Sequence, residues 1–148
     1  MEIRPMAEKD IEQVWNMENE IFTTPWSMNS FESSINSMDN IYLVAEEEGD
    51  IIGYCGLWGT IDEGQITNIA VREDRRGQHV GNKLLETLIE YGREMGLNAF
   101  TLEVRTSNEA AINLYHKFNF EDSGIRKDYY QKPVEDALIM WLRFDYND

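Results

Sequence analysis

The chain has 148 residues, 42% hydrophobic and 11% aromatic, which suits one folded domain over residues 1–148 and argues against disorder. Its formal net charge of −15 argues against a nucleic-acid-binding surface. The acidity permits a basic partner, and it could equally do no more than keep the protein soluble. No apolar run approaches the ~20 residues that cross a bilayer, no signal-peptide stretch opens the chain, and Cys55 has no second cysteine to pair with. We therefore expect a cytoplasmic protein that binds neither nucleic acid nor membrane.

The first three predicted elements are a strand and two helices. A short strand at residues 2–5 precedes apolar residues at helical spacing over residues 7–22. Pro25 ends this helix, because the residue before a proline disfavours helical geometry. Ser27 is a suitable N-cap for a second helix that runs through Ile35.

Strands dominate the middle of the chain and alternate with helices after it. Two strand-like runs around residues 48–50 predict a hairpin, and the run GQITNIAV predicts a strand buried on both faces. The remaining predicted elements are a helix from Val80 to Met95, a strand over 98–104, a helix capped by Ser107 or Asn108, and strands over 120–126 and 137–142. The expected order is βααββββαβαββ, an α/β fold with a mixed α+β sheet in a single domain.

The stretch VREDRRGQHVGNKLL, residues 71–85, joins a buried strand to an amphipathic helix and concentrates basic residues in an acidic protein. A helix N-terminus presents unpaired N–H groups and the positive end of a dipole. Gly77 and Gly81 would let a ligand approach the backbone, and arginines would add charge-assisted hydrogen bonds. The pattern predicts a phosphate cradle, while a charged surface loop before an ordinary helix fits the spacing equally well.

The segment NIAVREDRRGQHVGNKLLETLIE resembles the pyrophosphate-binding motif of the GNAT superfamily of N-acetyltransferases, Gln/Arg-x-x-Gly-x-Gly/Ala. Arg76 and Gly81 match its first and last positions, and His79 stands where the family usually has glycine. The resemblance implies acetyl-CoA as cosubstrate, with strand backbone pairing with the pantetheine arm. The residues implied to bind it are Ile69, Ala70, Val71, Arg76, Gly77, Gln78, His79, Val80, Gly81, Asn82 and Asn108.

A closer resemblance covers nearly the whole chain. The segments FTTPWSMNSF, ITNIAV, LEVRTSNEAAINLYHKFNF, IRKDYY and EDALIMWL are similar to the bacterial ribosomal-protein-alanine N-acetyltransferases. A mild departure is Asn119, where that family commonly has glycine. The resemblance implies a GNAT fold that acetylates the N-terminal alanine of the eighteenth small-subunit ribosomal protein. The implied partner is therefore a basic protein or peptide N-terminus.

Two residues are candidates for moving protons. Acetyl transfer to an amine needs a base for the ammonium proton and an acid for the departing thiolate. Strand alternation places Glu103 opposite Phe100 and Leu102, where it is either a solvated carboxylate or a base acting directly or through water. The resemblance assigns Glu103 as the general base and Tyr115 as the acid; without it, Tyr115 reads as a packing aromatic.

Loop aromatics are candidates for the acceptor site. Trp26, Tyr129 and Tyr130 lie in loops that the resemblance places at the acceptor entrance, although core packing suits Trp26 equally. An acetyl-cysteine at Cys55 is disfavoured because no histidine lies near it in sequence. No metal is expected, since the histidines show no ligand spacing.

Three alternatives stay open. A polyamine, an aminoglycoside or a lysine side chain could be the acceptor on the same fold, since the acidity suits those amines too. A non-catalytic coenzyme A-binding module is a second reading, because His79 replaces a glycine of the phosphate motif. A plain interaction domain is the third, and it would bind no coenzyme A.

Overall fold

The structure, a computed structural model, describes residues 1–144. Short 3₁₀ turns at Glu8–Asp10 and Glu73–Arg75 precede the first and third helices. The helices and strands are β1 (Glu2–Pro5), α1 (Ile11–Ile21), α2 (Met28–Ile35), β2 (Asn40–Glu47), β3 (Asp50–Gly59), β4 (Glu63–Val71), α3 (Val80–Glu94), β5 (Ala99–Arg105), α4 (Glu109–Lys117), β6 (Glu121–Tyr130) and β7 (Glu135–Arg143). Among residues 1–144, no helix is both long and apolar enough to cross a membrane.

The fold class is confirmed, while the expected element order counts one strand too many. Three strands, not four, lie between α2 and α3, so the observed order is βααβββαβαββ. Only residues 60–62 separate β3 from β4, which is too short a connection to hold a further strand. The first helix also begins later than expected, at Ile11, because Asp10 turns back to accept a hydrogen bond from the Ala7 N–H at 2.8 Å.

Side-chain caps set two of the helix starts, as the sequence predicts. Ser27 Oγ accepts a hydrogen bond from the Ser30 N–H at 3.1 Å and opens α2. Asn108 Oδ1 accepts one from the Ala111 N–H at 3.2 Å and opens α4. Asn119, after α4, has a φ of 71°, a left-handed conformation that asparagine tolerates better than most residues.

The seven strands of the described chain form one sheet in the order β1-β2-β3-β4-β5-β7-β6. Neighbouring strands are antiparallel except for β4 and β5, which run parallel. These two pair only where Glu63–Gln65 meets Ala99–Thr101. Beyond that point they separate, and we call the opening between 66–71 and 102–105 the β4–β5 cleft.

Helices cover both faces of the sheet and create two apolar cores. Helices α3 and α4 pack on one face, around a core that includes Leu84, Leu88 and Phe100. Helices α1 and α2 pack on the other face, around Phe31 and Tyr54. The prediction that β4 is buried on both faces holds only in part. Its half-buried side chains, at positions 67, 69 and 71, alternate with buried ones because the cleft leaves one side of its second half open.

Candidate active site

Two adjoining cavities lie at the β4–β5 cleft. The turn cavity, about 520 Å³, is bounded by the end of β4, the turn before α3, the start of α3 and one face of α4. The loop cavity, about 340 Å³, is bounded by the α1–α2 loop, β4, the second half of β5 and Tyr130. Ile69, Asn108 and Tyr115 line both cavities, so the two meet at these residues.

The turn before α3 has a left-handed backbone at two positions. Gly77 has a φ of 81° and His79 a φ of 63°, so His79 follows a path that usually favours glycine. Within residues 1–144, no side chain caps the start of α3, which leaves the N–H groups of its first turn available to an anion. A Cβ on Gly81 would lie in ordinary van der Waals contact with Leu114 Cδ2 at 3.6 Å and Val71 Cγ2 at 3.7 Å, so it would meet no clash. The cradle therefore fits a phosphate group.

The basic residues of the turn divide into paired and unpaired ones. Arg72 Nε lies 2.7 Å from Asp74 Oδ1, and Arg75 forms an ion pair of 2.7 Å with Glu47. Each of these arginines lowers the pKa of its carboxylate partner, mainly through the hydrogen bond. Arg76 makes no ion pair within residues 1–144 and donates from Nε to the Val71 carbonyl at 3.3 Å. The charge of Arg76 is therefore available to a ligand at the cradle.

Nearly all of the predicted coenzyme-binding residues are brought together. The turn cavity is lined by ten of them, namely Ile69, Ala70, Val71, Arg76, Gly77, His79, Val80, Gly81, Asn82 and Asn108. Gln78 lies in the same turn but does not line the cavity. Lys117, which the sequence analysis did not assign, also lines it and adds a second cation from the end of α4.

Tyr115 occupies the junction of the two cavities. It is only 4% exposed, and its ring lies 5.6 Å from that of Phe120. Its hydroxyl has no hydrogen-bond partner within residues 1–144. Burial, together with Tyr130 and Cys55, raises the pKa of the phenol, so the hydroxyl keeps its proton at neutral pH. The residue is thus a buried proton donor that faces the place where the cavities meet.

Glu103 projects from β5 into the loop cavity. The neighbours Phe100 and Leu102 are 0% and 2% exposed, as strand alternation predicts, whereas the Glu103 side chain is 14% exposed. Its Oε2 accepts a hydrogen bond from Gln65 Nε2 at 3.2 Å, and its Oε1 lies 3.4 Å from Arg126 Nε. A carboxylate held in this way at the cavity wall can receive a proton from an incoming amine.

Arg105 fastens the loops that border the loop cavity, a role that the sequence analysis missed. Its guanidinium donates to the carbonyls of Gln131 and Pro133 at 2.9 and 3.0 Å and pairs with Glu135 at 3.1 Å. It also reaches Thr23 Oγ1 at 3.5 Å, on the opposite loop. Hydrogen bonds from Ser107 and Arg105 lower the pKa of Glu135 to about 2, so Glu135 stays ionised in its ion pair with Arg105 at neutral pH.

The three predicted acceptor-site aromatics have different positions. Trp26 is half-buried, lines the loop cavity and stacks on Trp58 with 5.7 Å between ring centroids, so it both packs and faces the cavity. The expectation that Tyr129 and Tyr130 lie in a loop is wrong, because strand β6 continues past residue 126 and ends with them. Tyr130 also lines the loop cavity. Tyr129 is 46% exposed and does not line it, but packs edge-on against Tyr130 at 5.0 Å.

A buried polar cluster at the floor of the loop cavity was also missed. Glu18 is 2% exposed, and its carboxylate accepts hydrogen bonds from Tyr54 Oη at 2.5 Å and from the Trp26 N–H at 2.8 Å. Asn68 Nδ2 lies 3.4 Å from Glu18 Oε1. Two features of the sequence could have indicated this cluster. Glu18 is a charged residue at a core-facing position of helix α1, and Asn68 is an amide inside the apolar strand ITNIAV.

Other reactive side chains of the described chain lie outside both cavities. Cys55 is fully buried, and burial raises the pKa of its thiol, which makes it a poor nucleophile. His116 pairs with Asp122 at 2.8 Å. Within residues 1–144, no three histidine, cysteine or acidic side chains are grouped closely enough to hold a metal ion.

Comparison with known proteins gives concordant matches. Residues 11–120 match the family model described as the acetyltransferase (GNAT) family. A Bacillus subtilis protein with the provisional name ribosomal protein bS18-alanine N-acetyltransferase is 43% identical, over 95% of this chain and 93% of its own. The crystal structure of the ribosomal-protein-S18-alanine N-acetyltransferase from Escherichia coli has a TM-score of 0.89 at 32% identity, covering 97% of this chain and 94% of that one. The Salmonella typhimurium protein yncA, solved with its cofactor acetyl-CoA, shares the fold with a TM-score of 0.85 at 21% identity, over 98% of this chain and 94% of its own.

Proposed function

The chain belongs to the GNAT family of acetyltransferases, and we propose that it moves an acetyl group from acetyl-CoA to the α-amine of a protein N-terminus. The observation that carries this proposal is the meeting of two cavities at Tyr115, one with an uncapped helix start and one with acidic and aromatic walls. The names of the relatives favour the N-terminal alanine of ribosomal protein bS18 as the acceptor.

The turn cavity is the proposed site of the coenzyme. The N–H groups at the start of α3, with Arg76 and Lys117 beside them, would hold its phosphates. Beyond Gln65, the edge of β4 that faces β5 has no strand partner, so its backbone at Ile69 and Val71 can pair with an amide-bearing arm. Acetyl-CoA supplies the activated acetyl group as a thioester.

The proposed proton movements use one residue on each side of the junction. Glu103 Oε2 or Oε1 receives a proton from the acceptor's ammonium group, which frees the lone pair for attack on the thioester carbonyl. Tyr115 Oη holds the proton that a departing thiolate needs, and its raised pKa keeps that proton in place until transfer. Asn108, which lines both cavities, orients groups at the junction.

The loop cavity is the proposed entrance for the acceptor. Its walls include two carboxylates, Glu18 and Glu103, and two aromatic rings, Trp26 and Tyr130. This combination suits an extended cationic chain end, with the charge attracted by the carboxylates and the first side chains resting on the rings. The net charge of −15 would further attract a basic protein over longer distances.

A competition between amines tests this function. The enzyme is given acetyl-CoA and a peptide with the N-terminal sequence of bS18, beside the same peptide with a blocked α-amine and a free lysine, a polyamine and an aminoglycoside. We expect acetylation at the α-amine alone, located by mass spectrometry. Higher kcat/KM for lysine, polyamine or aminoglycoside would overturn the acceptor assignment, and coenzyme binding without turnover of any amine would support a non-catalytic module.

A further inference from the structure

One residue of the loop-cavity wall has a buried side-chain carbonyl oxygen that the fold leaves without a partner. Asn68 lies on β4, lines this cavity and is 5% exposed. Its Oδ1 has no hydrogen-bond partner within residues 1–144, and among the side-chain oxygen and nitrogen atoms that are themselves fully buried there, it is the single one of which this is true. Buried polar atoms are nearly always paired, so an unpaired one in a residue of the cavity wall points to a donor that reaches it when a molecule is bound.

The orientation of this amide is set by Glu18. Asn68 Nδ2 faces Glu18 Oε1 at 3.4 Å, and the carboxylate is itself held by Tyr54 Oη at 2.5 Å and the Trp26 N–H at 2.8 Å. A carboxylate can only accept hydrogen bonds, so a flipped amide would place two acceptors against each other. The nitrogen of Asn68 must therefore face Glu18, which directs Oδ1 elsewhere.

The position of Asn68 is on the acceptor's side of the cleft. It precedes Ile69, where the two cavities meet, and its side chain lies on the α1–α2 face of the sheet. Glu103 lines the same loop cavity. Neither Asn68 nor Glu18 lines the turn cavity, so both are separated from the proposed coenzyme site.

We propose that Asn68 Oδ1 is a substrate-binding atom that accepts a hydrogen bond from the acceptor's α-amino group, with Glu18 as the residue that positions the amide. The assignment rests on the proposed function. A primary ammonium group carries three N–H bonds: one proton passes to Glu103 before attack, a second leaves the nitrogen as the amide forms and restores the Tyr115 hydroxyl that has protonated the thiolate, and the third stays in the amide product. The third N–H donates to Asn68 and thereby orients the lone pair. The buried carboxylate of Glu18, which has no ion-pair partner within residues 1–144, also attracts the cationic amine.

The test compares two acceptor peptides that differ by one N–H. One begins with alanine and the other with N-methylalanine, whose neutral secondary amine has a single N–H, the one that must be given up in the reaction. In the wild-type enzyme, only the alanine peptide can both bind Asn68 and release a proton. We expect Asn68→Leu, which nearly keeps the volume, to lower kcat/KM for the alanine peptide roughly tenfold. The ratio of kcat/KM between the two peptides should fall by a similar factor.

Matched controls separate this role from a structural one. Asn40→Leu removes another half-buried amide, which bonds to the Ser34 carbonyl at 3.2 Å outside both cavities, and should leave the ratio unchanged. The affinity of Asn68→Leu for acetyl-CoA, measured by calorimetry, should equal that of the wild type. A wild-type ratio in Asn68→Leu would overturn the assignment. If that variant does not fold, Asn68→Ala removes the same amide without apolar bulk beside Glu18 and is read in the same way.

The positioning role of Glu18 is tested through the same ratio. Glu18→Gln introduces an amide nitrogen that competes for the place of Asn68 Nδ2, so the ratio of kcat/KM between the two peptides should fall. In the double variant, which carries both Glu18→Gln and Asn68→Leu, this ratio should fall no further than in Asn68→Leu alone. Additive losses would show that Glu18 acts independently. A wild-type enzyme that leaves the alanine peptide unmodified would refute the proposed function instead. The Asn68 assignment is then tested on any primary amine that the enzyme acetylates, paired with its N-methyl derivative.

Discussion

Replacing Tyr115 with phenylalanine separates the chemical role of the hydroxyl from the packing role of the ring. The hydroxyl has no hydrogen-bond partner within residues 1–144, and the ring packs against Phe120 at 5.6 Å. The variant keeps that ring contact and breaks no internal hydrogen bond. We therefore expect its free energy of unfolding to lie within ~0.5 kcal/mol of the wild type, the usual range for a change that removes no interaction.

The effect on rate should be much larger. Loss of a general acid typically costs about 10²–10⁴-fold, which corresponds to ~3–5 kcal/mol in the activation free energy. Because Tyr115 is buried, bulk water has little access to the site and does not readily replace it as the proton donor. We expect kcat for a peptide that begins with alanine to fall by about a hundredfold or more, while the dissociation constant of acetyl-CoA changes little.

The assay combines single-turnover kinetics, calorimetry with acetyl-CoA and urea unfolding. Tyr91→Phe is the matched control, since Tyr91 is a half-buried tyrosine of α3 that lines neither cavity. An acetyl thioester with a more acidic thiol should recover much of the Tyr115→Phe rate, because such a group leaves without a proton. A stable variant with wild-type kcat on acetyl-CoA, under conditions where chemistry limits turnover, would refute the acid assignment.

Three further changes probe the base, the cradle and the strained turn. Glu103→Gln should lose about 10²–10⁴-fold in rate below the α-amine pKa of about 8 and progressively less above it, whereas a pH–rate profile parallel to that of the wild type would remove Glu103 from the mechanism. Gly81→Glu should abolish acetyl-CoA binding in calorimetry without unfolding the protein, because its Cβ meets no clash while the rest of the side chain adds bulk and negative charge at the cradle; unchanged affinity would exclude the cradle. His79→Gly should raise the free energy of unfolding in urea by about 0.5–1 kcal/mol, because a left-handed residue costs ~1–2 kcal/mol and glycine loses ~0.5–1 through chain entropy; a less stable variant would contradict this.

Local patterns in the sequence were enough to predict most elements and the turn before α3, for which the spacing left a phosphate cradle and an ordinary surface loop equally open. Helix α3 and the turn before it follow from apolar spacing and two glycines within about 20 residues, and the caps at Ser27 and Asn108 need only the next three residues. Strand alternation placed Glu103 opposite Phe100, as observed. These features depend on backbone hydrogen bonds and burial over short stretches, which the sequence determines directly.

Tertiary structure alone decided where these parts meet. The point at which β4 and β5 stop pairing, at Gln65 and Thr101, opens the cleft, and no local pattern marks it. The same holds for Arg105, which joins two loops distant in sequence, and for the contact of Glu18 with Asn68 across 50 positions. Strand pairing and helix packing bring such residues together, so their partners depend on the whole sheet and not on neighbouring residues. The sequence by itself determined most elements and the turn before α3, whereas the fold decided that one cavity meets another at Tyr115 and that the buried Oδ1 of Asn68 is left without a partner within residues 1–144.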